Sequence, residues 1–472
     1  MISDHLISLL RQHLSHQPTH DQELLIGKLA RFVTGESHAD VMLIRGYAGT
    51  GKTSVIAALT AALRSLNIRF VMMAPTGRAA KVLSSYSGHQ AFTIHKKIYR
   101  QRSSRDIFGK FELNCNVASN TFFIVDEASM ISNESAEASA FGSGRLLDDL
   151  IRFVYNNRGC KLILSGDTAQ LPPVGLDISP ALAGGNLSSY GLGVEEQLLT
   201  EVVRQSFCSG ILHNATRLRE MLRDGAPSWP GLTGRMPDVE RVAGQDLVER
   251  ISDAHDRYGL EETIIVCRSN KRANQFNQGI RNRILFRDEI LCAGESLMIV
   301  RNNYFWAATG DDTDFIANGD IATLRRVKRY EQRYGYTFAD VELELPDYGH
   351  ASVTAKILVD TLSSEGASLS QSEHKNLYEA VLAEYAHIPQ KRKRVQAVRE
   401  DPFFNALQVK YAYAVTCHKA QGGQWKAVFV DQGWFPGETP DKEYYRWLYT
   451  AVTRATERLF LVNFSDRFFT EA

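Results

Sequence analysis

Two stretches of the chain alternate short apolar runs with helix-spaced segments. In the first, VMLI (Val41–Ile44) is continuously apolar, as a strand covered on both faces must be. A glycine-rich turn follows, then KTSVIAALTAALRSL with helical spacing. FVMM (Phe70–Met73), TFFIV (Thr121–Val125) and KLIL (Lys161–Leu164) repeat the strand pattern, and GRAAKVLSSY supplies another helix. The second stretch starts near Thr200. There TIIV (Thr263–Val266) precedes helical NKRANQFNQGIRNRIL, and AVFV (Ala427–Val430), EYYRWLYTAVTRA and RLFLV (Arg458–Val462) complete it. Strand–helix alternation of this kind predicts parallel α/β layers. Between the two parts of the second stretch, Leu297 to Phe404 reads differently. It has β segments (IATLRRVKRY, YTFADVELEL, ASVTAKILV), then a charged helical stretch. The pattern therefore predicts an α/β protein with one unit over 1–197, a second over 198–296 and 405–472, and a β-rich domain inserted at 297–404.

Composition narrows the class without changing that picture. The chain has 472 residues, 44% hydrophobic and 23% charged, enough for several well-packed domains. Lys+Arg and Asp+Glu are both 54, so the net charge is zero. That argues against a protein that coats nucleic acid by bulk charge, but leaves room for a local binding groove. The six cysteines are widely spaced with no CxxC, so neither a disulfide framework nor a zinc site is expected. The first residues, MISDHLISLLRQHLSHQP, carry no basic leader followed by an apolar run, and no run is long enough to cross a bilayer. A cytoplasmic, membrane-free protein is expected. KRKR at Lys391–Arg394 reads as a solvated helix end. His13, His16 and His20 do not read as a metal site, because Pro18 breaks their spacing and no acidic or Cys ligands accompany them.

The candidate chemistry begins at Gly46. Gly46-Tyr-Ala-Gly49-Thr-Gly51-Lys52-Thr53 fits G-x-x-x-x-G-K-[ST], after a strand and opening a helix. The glycines let backbone N–H groups close on phosphate oxygens at a helix N-terminus. Lys52 neutralises the β- and γ-phosphates, Thr53 is a Mg²⁺ ligand, and Ser54 follows in the same first turn. TFFIVDEAS supplies the second carboxylate element: Asp126 for Mg²⁺ and Glu127 to polarise an attacking water. ATP and Mg²⁺ are therefore the expected substrate and cofactor. A third strand runs into Ser165-Gly-Asp167-Thr-Ala-Gln170 and then Pro172-Pro173. Parallel strands present their C-terminal ends along one edge, so Asp167 and Gln170 are expected beside the phosphates. A neutral amide can sense the γ-phosphate without competing for Mg²⁺, and the prolines stiffen the chain just beyond it.

GDTAQLPPV resembles motif III of the superfamily 1 helicases, and further helicase motifs follow the same order. THDQ (Thr19–Gln22) resembles the Q motif, APTGRAA (Ala74–Ala80) motif Ia, TIH (Thr93–His95) motif Ib and DEAS motif II. VVRQ (Val202–Gln205) resembles motif IV, YAYAVTCHKAQGGQW (Tyr411–Trp425) motif V and YTAVTRA (Tyr449–Ala455) motif VI. The wording is similar to the RecD-like and Dda-like branch, superfamily 1B, in a compact form without a long amino-terminal extension.

The resemblance implies two RecA-like parallel-sheet domains and an ATP-dependent DNA helicase moving 5′ to 3′ on single-stranded DNA. It implies that Gln22 reads adenine, and that Arg204 and Arg454 reach across the cleft as arginine fingers. Positioned guanidinium groups there would stabilise charge developing on the γ-phosphoryl oxygens. It carries over Pro75, Thr76, His95, Thr416, His418 and Gln421 as strand contacts, groups suited to a backbone without sequence reading. Motif V has Ala420 where many relatives have serine, so that hydroxyl contact is missing. RSSRDIFGKFELN (Arg102–Asn114) falls where relatives carry a strand-splitting pin, here about 100–118, with Phe108 at the tip to stack on the last base pair. A tailed duplex is the expected partner, with single-stranded DNA-binding or recombination proteins as further ones, and the chain is expected to be a monomer. Three alternatives stay open at this point: an RNA-directed helicase, a translocase or loading module that does not separate strands, and a helicase partnered by a nuclease subunit. The motifs do not exclude the 2′-hydroxyl.

Overall fold

The computed structural model describes residues 2–101, 111–134, 141–202, 209–225, 228–303, 305–306, 316–435 and 439–470. The first unit carries β1 (Val41–Gly46), β2 (Arg69–Ala74), β3 (Ala91–Thr93), a small ribbon of β4 (Tyr99–Gln101) and β5 (Phe111–Leu113), then β6 (Thr121–Val125), β7 (Lys161–Gly166) and β8 (Val194–Leu199). Its sheet order is β3-β2-β6-β7-β1-β8, parallel throughout. The unbroken apolar runs are explained by burial on both faces. Met42 and Ile44 pack with the Lys52–Ser65 and His20–Thr34 helices, whereas Val41 and Leu43 pack with Leu147, Leu150 and Phe153 on the other side. Because β8 pairs with β1 as far as Leu199, the unit runs past the expected boundary at residue 197.

The second unit carries β9 (Arg235–Met236), β10 (Val239–Val242), β11 (Thr263–Cys267), then the inserted strands β12 (Ser296–Ile299), β13 (Ile321–Arg333), β14 (Tyr336–Leu345), β15 (Ala351–Leu358) and β16 (Leu407–Tyr411). It finishes with β17 (Ala414–Thr416), β18 (Trp425–Asp431) and β19 (Ala455–Val462). Its sheet order is β17-β11-β18-β19-β10-β9, with β9 antiparallel to β10 and the other pairs parallel.

Strands β12 to β16 form a closed barrel. This moves the expected end of the insertion. Phe404 is not its limit, because Leu407–Tyr411 pairs with both β12 and β15 and closes the barrel. The charged stretch forms two helices, Gln371–Glu384 and Lys391–Arg399, seated on Phe338, Leu358 and Phe403. Lys391, Arg392 and Lys393 are exposed at the start of the second. At the barrel's root, Glu295 is fully buried between Arg281 at 2.9 Å and Arg287 at 3.1 Å, and accepts from Tyr413 Oη at 2.8 Å. The barrel interior is continuous with one face of the second sheet.

The ribbon pairs Tyr99 with Leu113 and Arg100 with Glu112. Phe111 and Tyr99 pack on Phe141, which also touches His95. The expected tip, Phe108 included, lies outside the described residues. Among the described residues no helix is long and apolar enough to cross a membrane.

Candidate functional site

The sheet order brings the C-terminal ends of β1, β2, β3, β6 and β7 to one edge, and the candidate residues follow those ends. After β1 the chain turns through Gly49 (φ +76°) and Gly51 (φ +78°), left-handed conformations that favour glycine. Space excludes a side chain as well. A Cβ on Gly49 would stand 2.7 Å from Leu212 Cδ2 of the second unit. Gly51 caps the Lys52–Ser65 helix without a side-chain bond, which leaves backbone N–H groups to meet an anion. Lys52 Nζ donates to the carbonyls of Gly46 at 2.7 Å and Tyr47 at 2.9 Å. Thr53 and Ser54 are half-buried in the first helical turn.

Gln22 is fully buried, and every polar atom of its amide is engaged. Its Nε2 donates to Thr50 O at 2.9 Å, while Oε1 accepts from Thr19 N–H at 3.1 Å and lies 3.2 Å from His16 Nε2. The expected adenine reader is here a brace for the phosphate loop and a cap for its own helix.

Asp126 ends β6 in a buried position and accepts from Glu127 N–H at 3.0 Å. Burial, and then the neighbouring Glu127 charge, push its carboxyl up to about 6. Glu127 itself has φ +54°, a left-handed backbone at a residue other than glycine. Two crowded carboxylates suit a hard divalent cation, which would relieve their repulsion. Mg²⁺ takes one or two protein oxygens and completes its shell with phosphate and water, so Thr53 and Asp126 are a fitting donor set.

Asp167 and Gln170 are both buried at the end of β7. Asp167 accepts from Ala169 N–H at 2.9 Å and from Tyr449 Oη at 2.6 Å. Burial drives its carboxyl upward, and the Lys52 ammonium opposes the shift. Gln170 Oε1 is buried with no hydrogen-bond partner among the described residues. Just beyond it, the second unit holds both backbone polar groups of one residue. Leu171 N–H donates to Thr450 Oγ1 at 2.8 Å, and Leu171 O accepts from Gln421 Nε2 at 2.7 Å.

Of the two expected arginine fingers, Arg454 alone is among the described residues. Arg204 lies outside the described residues. Arg454 is buried within the second unit, donating to Thr450 O at 3.0 Å, Gly423 O at 3.2 Å and Thr453 Oγ1 at 3.3 Å. It ties the Gly423 turn to the end of its own helix instead of crossing the cleft. Arg219, which the sequence reading missed, does reach the phosphate loop. Its guanidinium lies 4.6 Å from the Tyr47 ring centre and donates to Thr200 O at 3.2 Å. Nothing in the sequence separates it from Arg217 and Arg223 on the same helix.

A second feature is a groove of about 380 Å³ between the two units and the barrel. Pro75, Thr76, His95, His418 and Gln421, five of the residues carried over as strand contacts, line it. Thr416 lies outside it, in a small adjoining cavity that shares Met298 and Lys419. Burial pushes the His95 imidazole down to about 4 and lowers that of His418, so both face the groove as neutral rings near pH 7. Gln421 is mostly buried, and its amide nitrogen is the one bound to Leu171. The groove also has walls that the motif reading did not name. Arg78 stacks 4.1 Å from the Trp425 ring centre, and Asn302, Asn318 and Lys419 close the barrel side. The close approach of the units needs Gly422 (φ +74°), where a Cβ would stand 2.8 Å from Ala79 Cβ.

Residues 28–235 match the AAA domain family, and residues 411–462 match the UvrD-like helicase C-terminal domain. The chain is similar to the uncharacterized protein R530 of Acanthamoeba polyphaga mimivirus, 22% identical over 93% of this chain and 98% of that one. It is also similar to the ATP-dependent RecD2 DNA helicase of Deinococcus radiodurans, 24% identical over 96% of this chain but 53% of that one, so it spans about half of that relative. A Pif1 helicase from Bacteroides, solved in complex with ADP-AlF3 and ssDNA, is 15% identical with a TM-score of 0.48, covering 97% of this chain and 95% of that chain.

Proposed function

We propose that this chain is a helicase of the RecD-like branch of superfamily 1B that uses ATP hydrolysis to move 5′ to 3′ along single-stranded DNA and open the duplex ahead. The observation that carries the reading is the Leu171 peptide. It follows the Gln170 strand end of the nucleotide site and is gripped by Gln421, a wall of the groove. Nucleotide chemistry and strand grip thus share one rigid connection.

In this reading the phosphate loop amides and Lys52 hold the β- and γ-phosphates. Thr53 and Asp126 would hold Mg²⁺, which screens phosphate charge and polarises the γ-phosphoryl group when bound. Glu127 orients a water for in-line attack on the γ-phosphorus and accepts its proton on a carboxylate oxygen. The bond to the β–γ bridging oxygen breaks, giving ADP and phosphate. Gln170, with its unpartnered carbonyl oxygen, registers the change at the γ-position and passes it through Leu171. Lys52, the P-loop amides and an arginine from the second unit carry the transition-state charge. Arg219 and Arg204 are the candidates for that arginine, since Arg454 is engaged within its own unit.

The strand lies in the groove, held by Thr76, Arg78, His95, His418 and Lys419 without sequence reading. The ribbon of β4 and β5 is the proposed base of a pin that meets the junction.

Unwinding of matched duplexes with a 5′ tail, a 3′ tail or no tail tests the proposal, with Lys52→Ala as control. Opening of the 5′-tailed duplex alone, lost in the variant, is expected. Opening from the 3′ tail would reverse the polarity. ATPase stimulated by single-stranded DNA with every duplex left closed would favour a translocase or loader.

A further inference from the structure

Tyr449 sits on the helix Lys442–Val452 of the second unit and is 1% exposed. Its hydroxyl donates to Asp167 Oδ2 at 2.6 Å and accepts from Ala48 N–H at 2.8 Å. Both partners belong to the first unit. Ala48 is inside the phosphate loop, and Asp167 ends β7 three residues before Gln170. The hydrogen-bond directions are fixed by chemistry. An ionised carboxylate only accepts and a backbone N–H only donates, so one phenol serves both at once. A hydrogen bond to a carboxylate in a buried setting is also among the stronger kinds. Tyr47 and Ala48 pack against the core of the second unit, and Gly49 lies in contact with Leu212.

We propose that Tyr449 is a positioning residue for ATP hydrolysis, whose hydroxyl docks the second unit onto the phosphate loop and the Asp167 strand end together. The proposal rests on the ATP-driven reading above and deepens it. Opening the cleft breaks both bonds in one step and leaves a buried carboxylate and an amide to be rehydrated. The contact is therefore all-or-none. The loop keeps its working shape only while the second unit is seated, which makes hydrolysis report on closure. Thr450, the next residue, seats Leu171 in the same movement. Asp167 also lies close enough to Lys52 for the ammonium to favour its ionised form, so the seated tyrosine and the phosphate-binding lysine act on one carboxylate.

Steady-state ATPase with saturating single-stranded DNA, compared for wild type, Tyr449→Phe, Asp167→Asn and the double variant, tests this. Phenylalanine keeps the ring and its packing, and equal melting temperatures confirm the fold. Tyr449→Phe is expected to lower kcat about tenfold with less than a threefold change in KM for ATP, the size expected for losing a charge-assisted bond. The double variant is expected to be no worse than the poorer single one, because both remove the same contact. An unimpaired Tyr449→Phe, or losses that multiply in the double variant, would overturn the proposal while a DNA-stimulated wild type keeps the helicase reading. A wild type whose ATPase ignores single-stranded DNA would overturn both.

Discussion

Gln421 shows how much a single side chain can be asked to do. Its amide sits in the wall of the groove and donates to the carbonyl of Leu171 at 2.7 Å. Motif resemblance makes it a strand contact, and the geometry adds a link to the nucleotide site. Gln421→Ala removes one buried hydrogen bond, worth about 1 kcal/mol, and leaves a carbonyl unpaired. The expected result is roughly a fivefold drop in the stimulation of ATPase by single-stranded DNA, with the unstimulated rate changed less. Equal loss of both rates in a steady-state assay would show that Gln421 only supports the fold. Gln22 carries a similar lesson in the other direction. A glutamine read as a base contact has its whole amide engaged in holding Thr50 and Thr19.

Among the elements, the barrel is rooted on a buried charged contact. Glu295 has no exposure and faces Arg281 and Arg287, while Arg281 is itself 4% exposed as a side chain. Removing one member of a buried ion pair strands the other charge in a poor dielectric, at a cost of about 3–5 kcal/mol. Glu295→Ala is expected to lower the barrel's stability by about that amount, seen as an early transition in urea followed by tryptophan fluorescence. Glu295→Gln keeps the shape and one acceptor oxygen for an arginine, and is expected to cost less. An alanine variant with an unchanged unfolding profile would place the barrel's anchorage in its apolar face alone, where its core merges with the second sheet.

For the whole molecule, zero net charge and a groove with few cations among the described residues bear on how a strand would be held in the proposed reading. Arg78 and Lys419 are the basic side chains in the groove lining, and the lining histidines are neutral. Single strands release counterions with a slope of about −0.7 per neutralised phosphate. Two contacts predict a slope of log K against log salt of about −1.4, well short of a strongly basic binder. Fluorescence anisotropy of a labelled oligonucleotide across a salt series measures it. A slope beyond about −4 would show that most phosphate contacts lie elsewhere.

The division between sequence and tertiary structure follows the reach of each physical constraint. The parallel layers were legible because a strand buried on both faces must be apolar at every position, as in Val41–Ile44 and Thr121–Val125. The phosphate loop was legible because close backbone approach and positive φ restrict Gly49 and Gly51 locally. Both constraints act within a few residues. The roles of Tyr449, Thr450 and Arg219 depend on partners more than a hundred residues away, and spacing along the chain does not encode that. The closing strand of the barrel is hidden for the same reason: Leu407–Tyr411 runs straight into the Tyr411–Trp425 motif of the second unit, and only pairing with β12 and β15 assigns it to the barrel. Sequence alone determined that this protein has a nucleotide site and two parallel units. The tertiary structure decided which side chains join them, because that choice depends on the distance between surfaces that meet only after folding.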